Sequence, residues 1–245
     1  YTEQELKDSG LVTVSQKNGN LFDRFRDRLM FPIIDVRGNV IGFGGRVLDD
    51  SKPKYLNSNE TLIFNKRKNL FGMNFAKMTK QPFIILVEGN IDVVALHQFG
   101  FDNAVASLGT SLTEEQATLM GKYVEQVVLI YDGDEAGQRA AQRAIPMLEK
   151  AGLSIKVLQL KDAKDPDEFI KKFGADKFRK SLEESRSKFD YNFERIFNQY
   201  DMDVPQEKIK ALSALCELIS GFYSSAERDV YITVISGKMG VEPAS

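Results

Sequence analysis

The chain has few of the side chains that form disulfides or bind transition metals. Among its 245 residues there is one cysteine, Cys216, one histidine, His97, and no tryptophan. A single cysteine excludes a disulfide within the chain, and without pairs of cysteine or histidine we expect no zinc in this chain. Cys216 falls in the helical apolar pattern ALSALCELI, where a buried side chain is expected. This composition fits a reducing compartment such as the cytoplasm.

Long apolar runs are also missing. No segment reaches the length that crosses a membrane, and no secretory pattern opens the sequence, so we expect no membrane association. Hydrophobic residues still make up 42% of the chain, enough for the core of one large domain or of two to three small ones. Because the first residue is Tyr1, we expect a part of a longer protein.

Charge is unevenly distributed along the chain. Residues 24–80 contain 12 basic and 5 acidic side chains, whereas the whole chain has a net charge of −2. A basic region followed by an acidic remainder suits an enzyme that binds a polyanion beside a metal, although a solvated basic face gives the same count.

Four apolar segments that alternate with helical patterns predict the fold class. Such strands, separated by helices, are typical of a mostly parallel sheet covered by helices on both faces. The strands are FIILV at 83–87, NAVASL at 103–108, QVVLIY at 126–131 and SIKVLQL at 154–160. The helices between them are predicted through Val93–Phe99, from Thr113 with a capping box to Gln116, and from Glu135 to Ala151.

The flanking regions follow other patterns. MFPIIDV and NVIGFGGRVL predict a hairpin that turns at Arg37–Gly38–Asn39, and 52–72 is a polar, loop-rich stretch. After Asp167 all patterns are helical. We therefore predict an α/β protein with an N-terminal basic α+β subdomain over 1–81, a sheet subdomain over 82–166 and a C-terminal helical subdomain over 167–245.

Five carboxylates follow the predicted strands. They are Glu88, Asp132, Asp134, Asp165 and Asp167. A parallel sheet brings the ends of its strands to one edge, where such groups repel one another unless a cation lies among them. Oxygen ligands without histidine or cysteine favour Mg²⁺ or Mn²⁺, so we expect these residues to share divalent ions. Asp134 and Asp167 could instead be helix caps, and Asp92 lies behind the ligands near a helix start.

Three motifs carry a resemblance to a known family. EGNID, DGDEAG and KDPDEFI, each at a strand end and in this order, resemble the TOPRIM domain of topoisomerases and primases. Together with RFRDRLMFPIIDVRGNVIGFGGRVLDD and PKYLNSNETLIFNKRKNLFG, they resemble the catalytic domain of the bacterial DnaG-type primase family over essentially the whole chain. The primase form of the first motif more usually has an aromatic residue where Asn90 stands, a departure that leaves the metal ligands intact.

The resemblance implies roles for residues of the basic segment. Arg46, Lys54, Tyr55, Asn57 and Lys66 would line a groove for the template and the incoming nucleotide, while Arg26 and Arg28 would guide single-stranded DNA. The side chains suit this task. Arginine binds phosphate through two parallel hydrogen bonds, and an aromatic ring stacks on a base.

It also implies an activity, Mg²⁺-dependent synthesis of short RNA primers from nucleoside triphosphates on a single-stranded DNA template. Asp132, Asp134, Asp165 and Asp167 would hold the metal, with Glu88 as an acid/base or further ligand. The implied setting is a monomer at the replication fork in the bacterial cytoplasm. Guanosine tetraphosphate would be a possible inhibitor, and the replicative helicase would bind through a region that we expect to lie outside this chain.

Two other functions use the same scaffold. A TOPRIM nuclease would hydrolyse nucleic acid with the same metals, and a recombination mediator would bind DNA without turnover. The PKYLNS segment and the helical C-terminal part argue against the nuclease, and the intact acidic motifs argue against the mediator.

Overall fold

The predicted parallel sheet is present in the computed structural model, which describes residues 1–109, 111–132, 134–160, 162–222 and 224–242. Its strands are β6 (Phe83–Val87), β7 (Ala104–Ala106), β8 (Gln126–Leu129) and β9 (Ser154–Val157). They pair in parallel in the order β9-β8-β6-β7. Strand β6, which lies between β8 and β7, is buried from Ile84 to Val87, as an internal strand covered on both faces must be.

Helices connect these strands as the sequence patterns predict. They are α3 (Asn90–Gln98), α4 (Glu114–Met120), α5 (Glu135–Lys150) and α6 (Pro166–Glu183). Thr113 caps α4 through the predicted capping box with Gln116. The predicted helix from Glu135 to Ala151 agrees with α5 to within one residue at its end. This arrangement places the turns after β6, β8 and β9 at the carboxyl edge of the sheet.

Helix α6 belongs to the core of the sheet. Phe169, Ile170, Phe178 and Leu182 on this helix pack in one cluster with Ile85 and its neighbours. The first compact unit of the chain accordingly runs over Tyr1–Ser185, and the second begins at Arg186. A helical segment from 167 was predicted correctly, but its first helix packs on the sheet because its apolar stripe is buried there. The three subdomain boundaries stay a prediction.

The N-terminal part of the first unit contains two antiparallel sheets. Strands β1 (Val12–Val14) and β2 (Leu21–Asp23) form one, and β3 (Arg28–Ile34), β4 (Val40–Val47) and β5 (Tyr55–Asn57) form the other. Helix α1 (Glu3–Asp8) precedes them, and a 3₁₀ turn (Lys66–Lys68) and α2 (Met73–Ala76) follow. The hairpin predicted around Gly38 is formed by β3 and β4, and Gly38 adopts a φ of 94° in its turn.

In residues 186–222 and 224–242, the second unit contains a short strand, β10, and three helices. These elements are β10 (Arg186–Ser187), α7 (Lys188–Gln199), α8 (Pro205–Ser220) and α9 (Ser225–Met239). The helices enclose their own core, in which the rings of Phe189 and Tyr231 stack with centroids 3.7 Å apart. Cys216 is exposed, so the predicted burial was wrong. It lies on α8 between the positions of Leu215 and Ile219, which face the core.

In the stretches of chain that the structure describes, no helix is both long and apolar enough to cross a bilayer.

Candidate metal and nucleotide site

The turns after β6 and β8 meet at the carboxyl edge of the sheet. Glu88 follows β6 directly, and its Oε1 accepts a hydrogen bond of 3.0 Å from the backbone N–H of Asp132, which follows β8. The two strands are neighbours, so the first two predicted ligands lie side by side. Burial raises the pKa of Glu88, and the charges of Asp132 and Asp134 raise it further.

A glycine allows the chain to turn sharply from β8 into α5. A Cβ atom on Gly137 would lie 2.1 Å from the carbonyl oxygen of Asp132, a distance that no side chain tolerates. The N–H of Gly137 donates to Asp134 Oδ1 at 2.8 Å, so Asp134 caps helix α5. Asp134 and Gly137 therefore form a tight start of helix α5 close to Asp132, which lies beside Glu88.

The third acidic connection precedes α6. Asp165, rather than Asp167, caps this helix, with its Oδ1 accepting from the N–H of Glu168 at 2.8 Å. Asp167 lies in the first turn and forms an ion pair of 2.7 Å with Lys171. Capping occupies one oxygen of Asp165 and leaves its second oxygen for another partner.

Asp92 joins two of these connections. Its side chain, on a residue only 8% exposed, accepts from the N–H of Gly89 at 3.2 Å and from the N–H of Asp167 at 3.2 Å. Burial, followed by the charge of Asp165, raises the pKa of Asp92 to about 7. Asp92 was predicted to lie behind the ligands, and its hydrogen bonds link the turn after β6 to the start of α6.

The carboxylates are close enough to affect one another. Burial raises the pKa of Asp132, and the negative charges of Asp165 and Asp134 raise it further. Within the described ranges, Asp167 is the one member of the five that forms an ion pair. Lys164 offsets part of this repulsion at Asp132. An accumulation of like charge of this kind is an environment that favours a bound cation.

The chemistry of the donor set at the acidic edge fits magnesium. Among the residues that the structure describes, no three histidine, cysteine, aspartate or glutamate side chains are grouped closely enough to hold one metal ion. The expected sharing of ions by all five carboxylates is therefore not preformed. Magnesium commonly takes one or two carboxylates and completes its octahedron with water and phosphate oxygens, so the residues present suit it.

The basic segment lies against this acidic edge. Strand β5 places Tyr55 beside β4, where the guanidinium carbon of Arg46 is 5.8 Å and the Nζ of Lys54 5.9 Å from the centre of its ring. Burial raises the pKa of Tyr55, and the nearby Arg46 lowers it. The carboxylates of Asp92, Asp165 and Asp167 also raise the pKa of Tyr55, so their charges reach its hydroxyl group.

Gly44 on β4 marks the contact between the two parts. A Cβ atom there would lie 3.0 Å from Asn57 Oδ1 and 3.1 Å from Asn90 Nδ2. Asn57 belongs to β5, and Asn90 begins α3 two residues after Glu88. A glycine within a strand is typical of a place where another group comes close to the backbone, and here the approaching groups are these two amides. Asn90 is buried in that contact, in the place where an aromatic residue is more usual.

Arg26, Arg28 and Lys66, which were also predicted to bind the template or nucleotide, lie elsewhere in the N-terminal part of the first unit. The guanidinium of Arg26 is 4.8 Å from the centre of the Phe22 ring, and Arg28 Nη1 donates to the carbonyl of Gly45 at 3.4 Å. Lys66 begins the 3₁₀ turn and is half-buried.

Sequence reasoning missed two residues of this site. Arg24 donates from Nη2 to the carbonyl of Asn57 at 2.9 Å, and its buried Nε has no partner among the described atoms. Gln116 is fully buried and bridges α4 to the 3₁₀ turn. No sequence signal separates Arg24 from the arginines beside it. The capping box identified Gln116 as a helix-start residue, but not the partners of its amide.

An acidic edge on a parallel sheet, faced by a basic segment, defines the Toprim class of proteins that act on nucleic acids. A family model described as Toprim-like matches residues 85–170, and one described as the N-terminal domain of the DNA primase catalytic core matches residues 1–77. The chain belongs to the bacterial DnaG-type DNA primase family.

Known relatives agree with this assignment. A DNA primase of Clostridium acetobutylicum is 48% identical over 98% of this chain, which spans 40% of that protein. The solved catalytic core of Escherichia coli primase is 37% identical with a TM-score of 0.81, covering 98% of this chain and 78% of that one. A DnaG catalytic domain bound to single-stranded DNA is 37% identical with a TM-score of 0.82, covering 97% of this chain and 76% of that one.

One expectation about partners is corrected by these comparisons. A family model described as the DnaB-helicase binding domain of primase matches residues 189–244. The region that we expected to lie outside this chain therefore matches the three helices of its second unit. The sequence patterns predicted those helices, but an amphipathic helix does not reveal which partner it meets.

Proposed function

We propose that this chain is the catalytic core of a primase, which joins nucleoside triphosphates into a short RNA primer on a single-stranded DNA template. The observation that supports this most strongly is the contact at Gly44. There Asn57 of the basic β5 segment and Asn90, at the start of the helix that follows Glu88, both approach the same glycine of β4. A polyanionic template and the reacting phosphates can therefore lie in one continuous site.

The acidic edge would bind the divalent ion. Asp132, Asp134 and Asp165 would hold Mg²⁺, with Asp167 assisting and Glu88 as a further ligand or an acid/base. When bound, the metal lowers the pKa of the attacking 3′-hydroxyl group and neutralises charge on the leaving pyrophosphate. The pKa values of Glu88 and Asp132 are both raised, so their charged forms are unfavourable in the folded protein. A bound cation would offset the repulsion between them.

The basic segment would position the substrates. Arg46 and Lys54 flank the ring of Tyr55, so two cations and one aromatic face are presented together. Cations neutralise phosphates, and an aromatic face stacks on a base or ribose, irrespective of sequence. Asn57 and Lys66 would add donors at the end of this groove, and Arg26 and Arg28 would guide the template towards it. Template pairing then selects each nucleotide.

The proposed partners follow from the family. The second unit, which matches the helicase-binding family model, would contact a DnaB-type helicase, and the chain would act as a monomer at the replication fork of the bacterial cytoplasm. Guanosine tetraphosphate, which carries the phosphates and base of a nucleotide, would compete for the basic groove. A competition assay in which it fails to displace GTP would remove that last proposal.

Primer synthesis by the chain tests the proposal directly. We expect a labelled RNA product when single-stranded DNA, the four nucleoside triphosphates and Mg²⁺ are present, and none when EDTA is added. A parallel reaction without nucleotides distinguishes the rivals. DNA or RNA degradation there would indicate a nuclease, and DNA binding with neither synthesis nor degradation would indicate a mediator.

A further inference from the structure

The 3₁₀ turn Lys66–Lys68 is held by the start of helix α4. Gln116 Nε2 donates to the carbonyl of Lys66 at 2.9 Å and to the carbonyl of Asn69 at 2.8 Å. Thr113 Oγ1 donates to the carbonyl of Arg67 at 2.6 Å. Two side chains of one helix start therefore bind three backbone carbonyls along this short basic stretch.

The amide of Gln116 has one orientation. The residue is 0% exposed, and its Oε1 accepts from the N–H of Thr113 at 3.1 Å while both of its N–H donors point to the turn. The amide thus has partners on both its oxygen and its nitrogen without help from water. A buried polar group so satisfied fixes geometry, because any other arrangement leaves donors or acceptors unpaired.

The turn itself is too short to hold its own position. It spans three residues, and its local bonds join it to its immediate chain neighbours: Asn65 caps the N–H of Arg67 at 3.0 Å, the Asn69 amide donates to the carbonyl of Asn65 at 2.9 Å, and Glu60 accepts from the N–H of Lys66 at 2.9 Å. Turns of this kind have poor hydrogen-bond geometry and rarely extend further. Its placement relative to the sheet depends on contacts from outside, and α4 supplies them.

We propose that Gln116 is a positioning residue that fixes Lys66 relative to the acidic edge, so that the Lys66 ammonium group meets the phosphates of the nucleotide or template. The inference rests on the proposed function, which assigns Lys66 to the basic groove. It adds a specific dependence: the position of the turn relative to the sheet depends on the bonds that Gln116 and Thr113 donate to it, and Gln116 supplies two of these three.

Substitution of Gln116 by methionine tests the dependence. Methionine has similar length and volume but donates no hydrogen bond, so the turn loses two of its three side-chain bonds to α4. We expect Lys66→Ala to weaken binding of Mg²⁺-GTP or of a 20-nucleotide single-stranded DNA to the 245-residue chain. Gln116→Met should weaken binding of the same ligand by about tenfold, corresponding to about 1.4 kcal/mol.

A matched control and a double mutant separate positioning from general damage. Gln126→Met makes the same change at β8, where the amide contacts Ser154 at 3.4 Å, and should leave binding unchanged. In the Lys66→Ala background, Gln116→Met should have no further effect, because both changes remove the same interaction. Additive losses, or an unchanged affinity of the Gln116→Met variant, would overturn the inference.

A second variant covers the case in which Gln116→Met does not fold. Thr113→Asp keeps an acceptor for the helix cap but removes the hydroxyl donor to Arg67, and we expect binding to weaken by about threefold. Full affinity in that variant would contradict the inference. The proposed function fails separately, if the unmodified chain binds neither ligand. If the unmodified chain binds both ligands and Lys66→Ala binds them with the same affinity, only the proposed role of the turn is rejected.

Discussion

The acidic edge and the basic segment are placed by different kinds of backbone. Glu88 and Asp132 lie together because neighbouring parallel strands end at the same edge, and the hydrogen bond between them follows from that topology. Tyr55 and Lys66 lie on a short strand and a 3₁₀ turn, whose positions depend on side-chain bonds such as those of Arg24 and Gln116. The first region is determined by the fold, and the second by individual tertiary contacts.

This difference separates two kinds of mutational effect. Loss of a carboxylate that caps no helix, such as that of Asp132, should abolish chemistry and leave the fold intact, because the sheet does not need the charge. Loss of a residue in the basic segment should change affinity by modest factors, because several cations share the phosphates.

The largest effect is expected from Asp132→Asn. Primer synthesis should fall by about a thousandfold, the order of magnitude for removing one group that stabilises developing charge. The melting temperature should stay the same or rise, because the raised pKa of Asp132 shows that its charge is unfavourable in the folded protein. Asp176→Asn, at a fully exposed aspartate on α6, is the control. Retained synthesis in Asp132→Asn would end the metal assignment.

The next effect is expected from Gly137→Ala. The new methyl group would lie 2.1 Å from the carbonyl oxygen of Asp132, so the turn into α5 must shift. We expect a loss of about 1–3 kcal/mol in the free energy of unfolding, measured by urea titration, together with most of the activity. Gly237→Ala is a matched helical control, since a Cβ there meets no atom within 4 Å and alanine favours helix. Equal stability of the two variants would contradict the turn geometry.

The sequence predicted the acidic edge better than the basic segment for the same physical reason. FIILV and QVVLIY consist almost wholly of apolar residues, so both are predicted to be buried strands of a parallel sheet. The residues that follow such strands must then lie at the carboxyl edge of the sheet. Strand β5 is a three-residue edge strand within a stretch that the sequence predicted to be a polar loop. Its residues show no periodicity that would have predicted a strand. Hydrogen bonds from Gln116 to the 3₁₀ turn span about 50 positions and are invisible to local patterns.

The presence of Mg²⁺ is expected to have a smaller effect, on the stability of the folded chain. Because Mg²⁺ would relieve repulsion at the acidic edge only in the folded chain, adding it should raise the unfolding free energy by up to about 2.7 kcal/mol at a hundred times its dissociation constant. The shift should appear in thermal melts of the unmodified chain and be much reduced in Asp132→Asn. An equal shift in both would mean that the ion binds elsewhere.

The smallest effect is expected from Lys54→Ala. Lys54 is exposed beside Tyr55, so it should meet a phosphate as a screened point charge. Binding of single-stranded DNA should weaken only about threefold at low salt, and the slope of log affinity against log salt should fall by about 0.7, the value for one phosphate contact on a single strand. Lys180→Ala, at an exposed lysine on α6, should leave the slope unchanged. If the salt slope of Lys54→Ala stays the same, this lysine does not contribute to the groove. If Lys54→Ala loses function as completely as Asp132→Asn, the acidic edge and the basic segment do not differ in their sensitivity to mutation.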